Sequence, residues 1–500
     1  MFDLWLVPIA LIYLVVVGML FAYGVNFFYL TFIAWRARDF QPTIPALGDL
    51  PRVTVQLPIF NELYVAERLI NAVAQFDYPN DLLEIQVLDD STDETVAIIQ
   101  HAVERARARG VNIAPIQRAA RAGFKAGALA NGLAHARGEF IAIFDADFIP
   151  PRDFLRRTLP HFHDARVAFV QTRWGHTNRE YSLLTLLQAL SIDAHFVVEQ
   201  FARSRGNYWF NFNGTAGVWR RAALDDAGGW QTDTLTEDLD LSYRAFLRGW
   251  RAIYLRDVVV PAELPVSFSA YRRQQHRWAR GSFECALKLL PHVWCARIPR
   301  AQKIEATFHL TGYGVHLLLF ALALLYPVVL ALTLEYPQLI SLFGLAVIFN
   351  ATAFAPTLFF MMAQHQLERK WWQTLPAIFL LTITGAGMML NTGRAAFEIF
   401  LQRAHAFERT PKFGITRRGQ TWQRRRYQLR LDSIIVVEIF FAFVNLGTAF
   451  FALTLGNWLI ALYATLYAAG LFFTAATTLA QIIPNLWQNA AIAPATTARQ

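Results

Sequence analysis

The chain is poor in charge and almost without cysteine. Of its 500 residues, 17% are charged and 2 are cysteines, against 55% hydrophobic residues. Cys285 and Cys295 are too few for a disulfide framework and too widely spaced for a CxxC pair. Packing as inert thiols is their expected use. Low charge with a mean hydropathy of +0.29 excludes disorder and collagen-like repeats, and lies off the profile of a soluble protein. Glycine signatures of the P-loop and Rossmann types are also missing. The formal charge of +9 matters less than its location; no nucleic-acid partner is expected.

Long uncharged runs are present instead. Nothing between Asp3 and Arg36 carries a formal charge, enough for a helix of roughly 48 Å against a hydrocarbon core of about 30 Å. The basic start and small-residue cleavage site of a signal peptide are not seen there. Arg36 and Arg38 put the basic end in the cytoplasm. Further runs lie between Glu305 and Glu335, between Glu335 and Glu368, and beyond Glu438, where only Arg499 is charged and Gly456-Asn457 divides two spans. Leu375 to Leu390 is apolar enough to cross, but basic residues flank it on both sides: Arg369-Lys370 before, and Arg403, Arg409, Lys412, Arg417, Arg418 and Arg424-Arg425-Arg426 after. Crossing would put a basic group outside, so this stretch reads as a helix in the cytoplasmic interface. The expected division is 1–35 (a span), 36–305 (a cytoplasmic domain), 306–364 (two spans), 365–432 (interface helix and loop), 433–480 (two spans) and 481–500 (a tail). That is a multi-pass protein of about five spans in a cell (inner or plasma) membrane, with lipids as partners.

Residues 36–305 hold most of the charge. Arg52–Leu57, Glu84–Leu88 and Phe140–Phe144 read as strands, and Thr95–Arg109 as a helix closed by Gly110. Their alternation predicts an α/β domain with a mainly parallel sheet, where ligands bind beyond the carboxyl ends of the strands. Acidic groups follow those ends: Asp89-Asp90 after the second strand and Asp145-x-Asp147 after Phe144. Two readings of the D-x-D triplet stand. Asp caps turns by bonding local backbone, whereas two carboxylates just past a buried strand crowd like charge unless a cation such as Mg²⁺ or Mn²⁺ joins them and holds substrate phosphate. Thr236-Glu237-Asp238 combines a helix start with a well-placed general base. Gln274-x-x-Arg277-Trp278 gathers amide, guanidinium and indole within about one helical turn.

In this order these pieces resemble the processive family 2 glycosyltransferases of the cellulose synthase superfamily, and in detail the cellulose synthase-like A and C branch of glucomannan and xyloglucan-backbone synthases. Gly123-Phe-Lys125-Ala-Gly-Ala, Val170-Gln-Thr-Arg-Trp174-Gly-His176, Ser191-Ile-Asp193-Ala-His195 and Phe212-Asn213-Gly-Thr carry the detail. The resemblance implies a cytoplasmic GT-A-type domain that uses a metal to polymerise hexose from GDP-mannose or UDP-glucose. The product is a β-linked glycan, extruded through an aromatic-lined channel with accessory secretion subunits as further partners. It implies that Asp89, Asp90, Lys125, Asp145 and Arg277 bind the donor, that Asp145 and Asp147 hold the metal, and that Asp238 is the base. Asn213, Gly214, Thr215, Glu237, Gln274 and Trp278 would meet the growing acceptor. Phe407-Glu-Arg-Thr410-Pro-Lys412 resembles the family's F-x-V-T-x-K gating loop, with Arg409 in place of Val. The family's F-F-C-G-S acceptor stretch is replaced by Asn-Gly-Thr-Ala, which turns the expectation away from cellulose, and no second-messenger domain is expected after the last span.

Overall fold

The computed structural model describes residues 6–40, 48–337, 350–402, 408–423, 425–429 and 431–492. A seven-stranded sheet forms the first half, with strands β1 (Val53–Ile59), β2 (Leu83–Asp89), β3 (Ile113–Ile116), β4 (Phe140–Ile143), β5 (Val167–His176), β6 (Gly217–Arg220) and β7 (Arg251–Ala262). Their order is β3-β2-β1-β4-β6-β5-β7. Only β6 runs against its neighbours, antiparallel to both β4 and β5. The predicted strands are those of the parallel half, where continuous apolar runs are buried on both faces: Val53, Val55, Leu57, Ile85, Val87, Ile141 and Ile143 are all fully or almost fully buried. The predicted helix from Thr95 ends at Arg107, with Gly110 taking φ +82° just beyond it. Strand order reverses between β1 and β4, which opens a crevice past their carboxyl ends. The D-x-D pair lies there because it directly follows β4.

Five helices are long and apolar enough to cross a membrane: Pro8–Arg36, Gly314–Glu335, Trp371–Phe400, Ile434–Thr454 and Trp458–Gln481. Four match expected spans. Of the span expected between Glu335 and Glu368, residues 338–349 lie outside the described residues, and the described part holds a helix over Ala355–Gln366. The fifth, Trp371–Phe400, is the segment assigned above to the interface. Length and composition would let it cross, but both its flanks touch the sheet domain and its continuation. Arg369 Nη1 donates to Asp193 at 2.5 Å before it, and Glu408 O accepts from Arg277 at 2.8 Å after it. Within it, Asn391 Nδ2 donates to the Arg272 carbonyl at 3.0 Å, and Glu398 pairs with His276 at 3.1 Å.

The helix Phe268–Cys295, which carries Gln274 to Trp278, joins the two halves. Arg272 on it donates to Glu438 at 2.8 Å and to Thr478 at 3.2 Å, an ion pair whose side chains are 1% and 0% exposed. Breaking such a pair from one side costs about 3–5 kcal/mol. The segment Trp371–Gly387 is seated against Trp458–Ile492 by Gly387 and Gly470, where a Cβ on Gly387 would lie 2.3 Å from the Gly470 carbonyl oxygen. Gly387→Val is expected to lower stability by about 1–3 kcal/mol through overpacking, read as a lower unfolding midpoint in detergent. Gly18→Val, at a helix position with nothing within 4 Å of its Cβ, should leave the midpoint in place.

Candidate active site

A cavity of about 580 Å³ opens at the crevice. Its lining includes Phe60, Asp90 and Arg121, the D-x-D pair, Asp238 and Trp278, and, from the second half of the chain, Tyr313, His316, Phe359 and Phe360.

Each D-x-D carboxylate is held by a lysine. Asp145 Oδ1 lies 2.7 Å from Lys125 Nζ, while its backbone N–H donates to Thr215 Oγ1 at 2.8 Å. Asp147 Oδ2 accepts from Lys412 Nζ at 2.7 Å and from the Glu263 N–H at 3.2 Å. The like charge that a bound cation was expected to relieve is therefore already compensated by two ammonium groups. Among the described residues no three acidic, histidine or cysteine side chains converge in a metal-ligand set. The donor set is nonetheless hard carboxylate oxygen, which fits Mg²⁺ or Mn²⁺ when substrate phosphate supplies further ligands.

Lys125 Nζ also donates to the Gly214 carbonyl at 3.0 Å and lies 3.8 Å from Glu237 Oε1. Burial pulls its pKa down, but Asp145 and Glu237 outweigh that, so the ammonium is held above its ordinary value. Gly214 adopts φ +76°, and a Cβ there would meet Asp238 Oδ2 at 3.0 Å and Lys125 Nζ at 3.2 Å. Only glycine allows that approach. Asp238 stands in the first turn of the helix Glu237–Leu247, with Oδ1 accepting from the Leu239 N–H at 2.9 Å. Burial, and then Glu237, push its pKa well above the ordinary carboxylate range, against the pull of Lys125. That is the condition a general base near neutral pH requires.

Arg277 donates through Nη1 to the Glu408 carbonyl at 2.8 Å, and its Nη2 lies 3.5 Å from Thr410 Oγ1. Gln274, Trp278, Thr410 and Lys412 line the cavity, so the two motifs meet in one wall. Phe407 lies outside the described residues. The loop is fastened further by the Phe413 N–H to Glu263 Oε1 at 2.9 Å. Burial raises the Glu263 pKa above the ordinary range, with Lys412 opposing.

Two expected contacts are relocated. Asp89 is 3% exposed and stands behind the cavity, its oxygens accepting from the Ser91 N–H at 2.9 Å and Gln117 Nε2 at 3.1 Å. It shapes the loop that presents Asp90. Thr215 is fully buried and fixes Asp145 rather than an acceptor. Asp90 itself is gripped by Arg118, at 2.8 Å from Nε and 2.5 Å from Nη2. Asn213 is oriented by Gln200 Nε2 at 2.8 Å and by His195 Nε2 at 3.0 Å.

Several residues went unnoticed in the sequence. Arg118 and Arg121 sit in a loop without motif spacing. The Arg121 guanidinium stacks 3.4 Å above the Phe60 ring. Glu62 pairs with Arg409 at 3.1 Å, and burial first of all raises its pKa to about 8. Glu199 accepts from His195 Nδ1 at 2.8 Å within a π-helical turn, His195–Gln200. The motif Ser191 to His195 leads into that turn, and nothing in the sequence marks its π-helical hydrogen bonding.

Residues 51–281 match the family model described as Glycosyltransferase like family 2. Similar curated proteins include probable glucomannan 4-beta-mannosyltransferase 11 of Oryza sativa subsp. japonica, 48% identical over 248 residues, 49% of this chain and 44% of that protein. Glucomannan 4-beta-mannosyltransferase 2 of Arabidopsis thaliana is 43% identical over 300 residues, 58% of this chain and 56% of that one. The chain thus spans about half the length of the curated relatives it matches. Among solved structures, the mannosyltransferase PcManGT from Pyrobaculum calidifontis in complex with GDP-Man and Mn²⁺ is similar at 23% identity and a TM-score of 0.47, over 77% of this chain and 100% of that one.

The lysine clamp on Asp147 gives a direct test. Asp147→Asn leaves Lys412 buried beside a neutral partner, a loss of about 3–5 kcal/mol for a broken buried pair. The loop from Glu408 should then open, and tryptic cleavage after Lys412 should accelerate by about 10-fold or more. Unchanged cleavage would mean that Glu263 alone holds the loop.

Proposed function

We propose, from the match of residues 51–281 to a family model described as Glycosyltransferase like family 2, that the chain is a membrane-embedded, processive, inverting hexosyltransferase that builds a β-linked polysaccharide. One observation carries the reading: a single cavity joins the acid pair past β4, the raised-pKa Asp238 and the aromatic side chains among the apolar helices. The relatives' names favour a mannosyl donor, hence GDP-mannose before UDP-glucose.

The chemistry follows from the side chains. Asp90, with Arg118 and Arg121 around it, meets the nucleoside end of the donor. Lys125 and Arg277 face the diphosphate and stabilise charge as it leaves. Asp145 and Asp147 would hold Mg²⁺ or Mn²⁺, which when bound adds Lewis-acid stabilisation of that diphosphate. Asp238 takes the proton of the incoming acceptor hydroxyl. Direct attack with one base inverts the anomeric centre, so an α-linked donor gives a β-linked product. Trp278, Gln274 and Asn213 orient the acceptor sugar, and Thr410 and Lys412 close the donor side and exclude water. The product leaves past Tyr313, Phe359 and Phe360, whose ring faces suit the flat faces of sugars.

The catalytic domain and the loop from Glu408 belong on the cytoplasmic side in this reading, with Trp371–Phe400 lying in the interface. A cysteine at Gly419, exposed at the loop tip, should resist impermeant thiol reagents added to intact cells and react after permeabilisation. Labelling in intact cells would put the loop outside and sink its role over the donor.

Asp238→Asn should cut polymer synthesis by at least about 10²-fold while nucleotide binding persists. Because the folded-state pKa of Asp238 is raised, the base is protonated and inactive at acid pH. Turnover should therefore climb with rising pH through a midpoint of about 7, well above the ordinary Asp value of about 3.9. Radiolabelled GDP-mannose and UDP-glucose, with product length resolved on a gel, test donor and processivity together. A single added sugar would replace the polymerase reading with transfer to a lipid acceptor.

A further inference from the structure

Arg409 occupies the one position where the loop departs from the F-x-V-T-x-K pattern, and its surroundings are unusual for a buried cation. Its side chain is 14% exposed and that of Glu62, its counter-ion, 13%. The 3.1 Å contact between them is an ion pair without hydrogen-bond geometry: Arg409 Nη1, Arg409 Nη2 and Glu62 Oε2 are all buried with no hydrogen-bond partner among the described residues. Both residues lie in the wall of the active-site cavity, on the side that holds Asp147 and Lys412. The guanidinium lies against the Tyr427 ring, its Cζ 4.1 Å from the centroid, and the Tyr427 hydroxyl donates to Asp93.

A guanidinium withdrawn from water loses several hydrogen bonds, and a carboxylate contact of poor geometry recovers little of that. Valine at this position would incur no such cost, whereas the arginine keeps hydrogen-bonding capacity that Glu62 and the Tyr427 ring leave unused. Its planar fork suits an anion with two adjacent oxygens. Lys125 and Arg277 already face the same cavity, so such an anion would meet further cations there. The resting pair offers Arg409 one carboxylate oxygen, whereas a diphosphate offers several.

We propose that Arg409 is a donor-binding residue, which leaves Glu62 for the diphosphate of the nucleotide sugar. This rests on the glycosyltransferase reading above. Above its raised pKa of about 8 Glu62 carries the charge that competes with donor, and removing that charge should favour binding there. A residue that merely tethered the loop would show the opposite: loss of either member of the pair would loosen the loop and weaken every nucleotide alike.

The test uses the full chain in detergent at about pH 9, above the Glu62 pKa, and calorimetric binding of GDP, GMP, UDP and UMP with Mg²⁺. Arg409→Gln is expected to weaken the preferred diphosphate by about 10-fold or more, the scale of a charge-assisted contact, and the matching monophosphate by no more than about 3-fold. Arg409→Lys should recover part of the loss, and Glu62→Gln should tighten the diphosphate several-fold. Equal losses for diphosphate and monophosphate, or no loss at all, overturn the assignment. So does a Glu62→Gln variant that binds diphosphate more weakly than wild type, and this variant decides alone if Arg409→Gln does not fold. Wild-type protein that binds none of these nucleotides would overturn the glycosyltransferase reading as well. Wild-type diphosphate binding left unchanged by Arg409→Gln would sink only the role of Arg409.

Discussion

Two acid–ammonium contacts hold this site together, and they come from opposite ends of the chain. Lys125 meets Asp145 at 2.7 Å from the helix Phe124–His135, inside the sheet domain. Lys412 meets Asp147 at the same distance from 265 residues away. Two carboxylates on alternate residues past a buried strand repel each other strongly in a low dielectric, and each lysine removes one side of that repulsion. The geometry of Asp238 depends on the first contact, because Lys125 also bonds the Gly214 carbonyl beside it. The position of the 408–416 loop depends on the second.

The sheet domain and the cavity are linked to the apolar helices by few but costly contacts. Arg272 with Glu438, and Arg369 with Asp193, each bury charge that is stable only while the partner is present. Such pairs fix relative position better than apolar surface, which can slide. The cavity wall depends on that fixing, since Tyr313, Phe359 and Phe360 come from the second half while Asp238 comes from the first.

The parts of the fold visible in the sequence are those with one-dimensional signatures. β1, β2 and β4 are continuous apolar runs, and four of the five membrane-capable helices are largely uncharged runs, so both could be read directly. β6 is four residues long and antiparallel, too short for any period to betray it. At the site, Lys125, Asp145, Asp238 and Trp278 were legible because their motifs bring chemistry and position together. Asp89 and Thr215 stand in equally clear motifs yet are buried outside the cavity lining, bonded to Ser91 and Gln117 and to Asp145. A motif fixes which residue is present, and burial decides whether it faces ligand or scaffold. Arg118, Arg121 and Glu62 were missed for the converse reason. They act through contacts to Asp90, Phe60 and Arg409 that link separate loops, and no spacing in one dimension encodes those.

The remoteness of Lys412 has a consequence for biosynthesis. Chain growth delivers the whole sheet, Asp145, Asp147 and Asp238 long before the ribosome reaches Lys412, and by then the helix Trp371–Phe400 has also been made. A nascent domain therefore has a folded pocket whose second carboxylate lacks its ammonium partner, and it stays in that condition until the segment ahead of Lys412 has settled. The last piece of the pocket arrives only after most of the membrane-embedded part exists. A chain that ends before Lys412 thus leaves the Asp147 carboxylate without that ammonium partner.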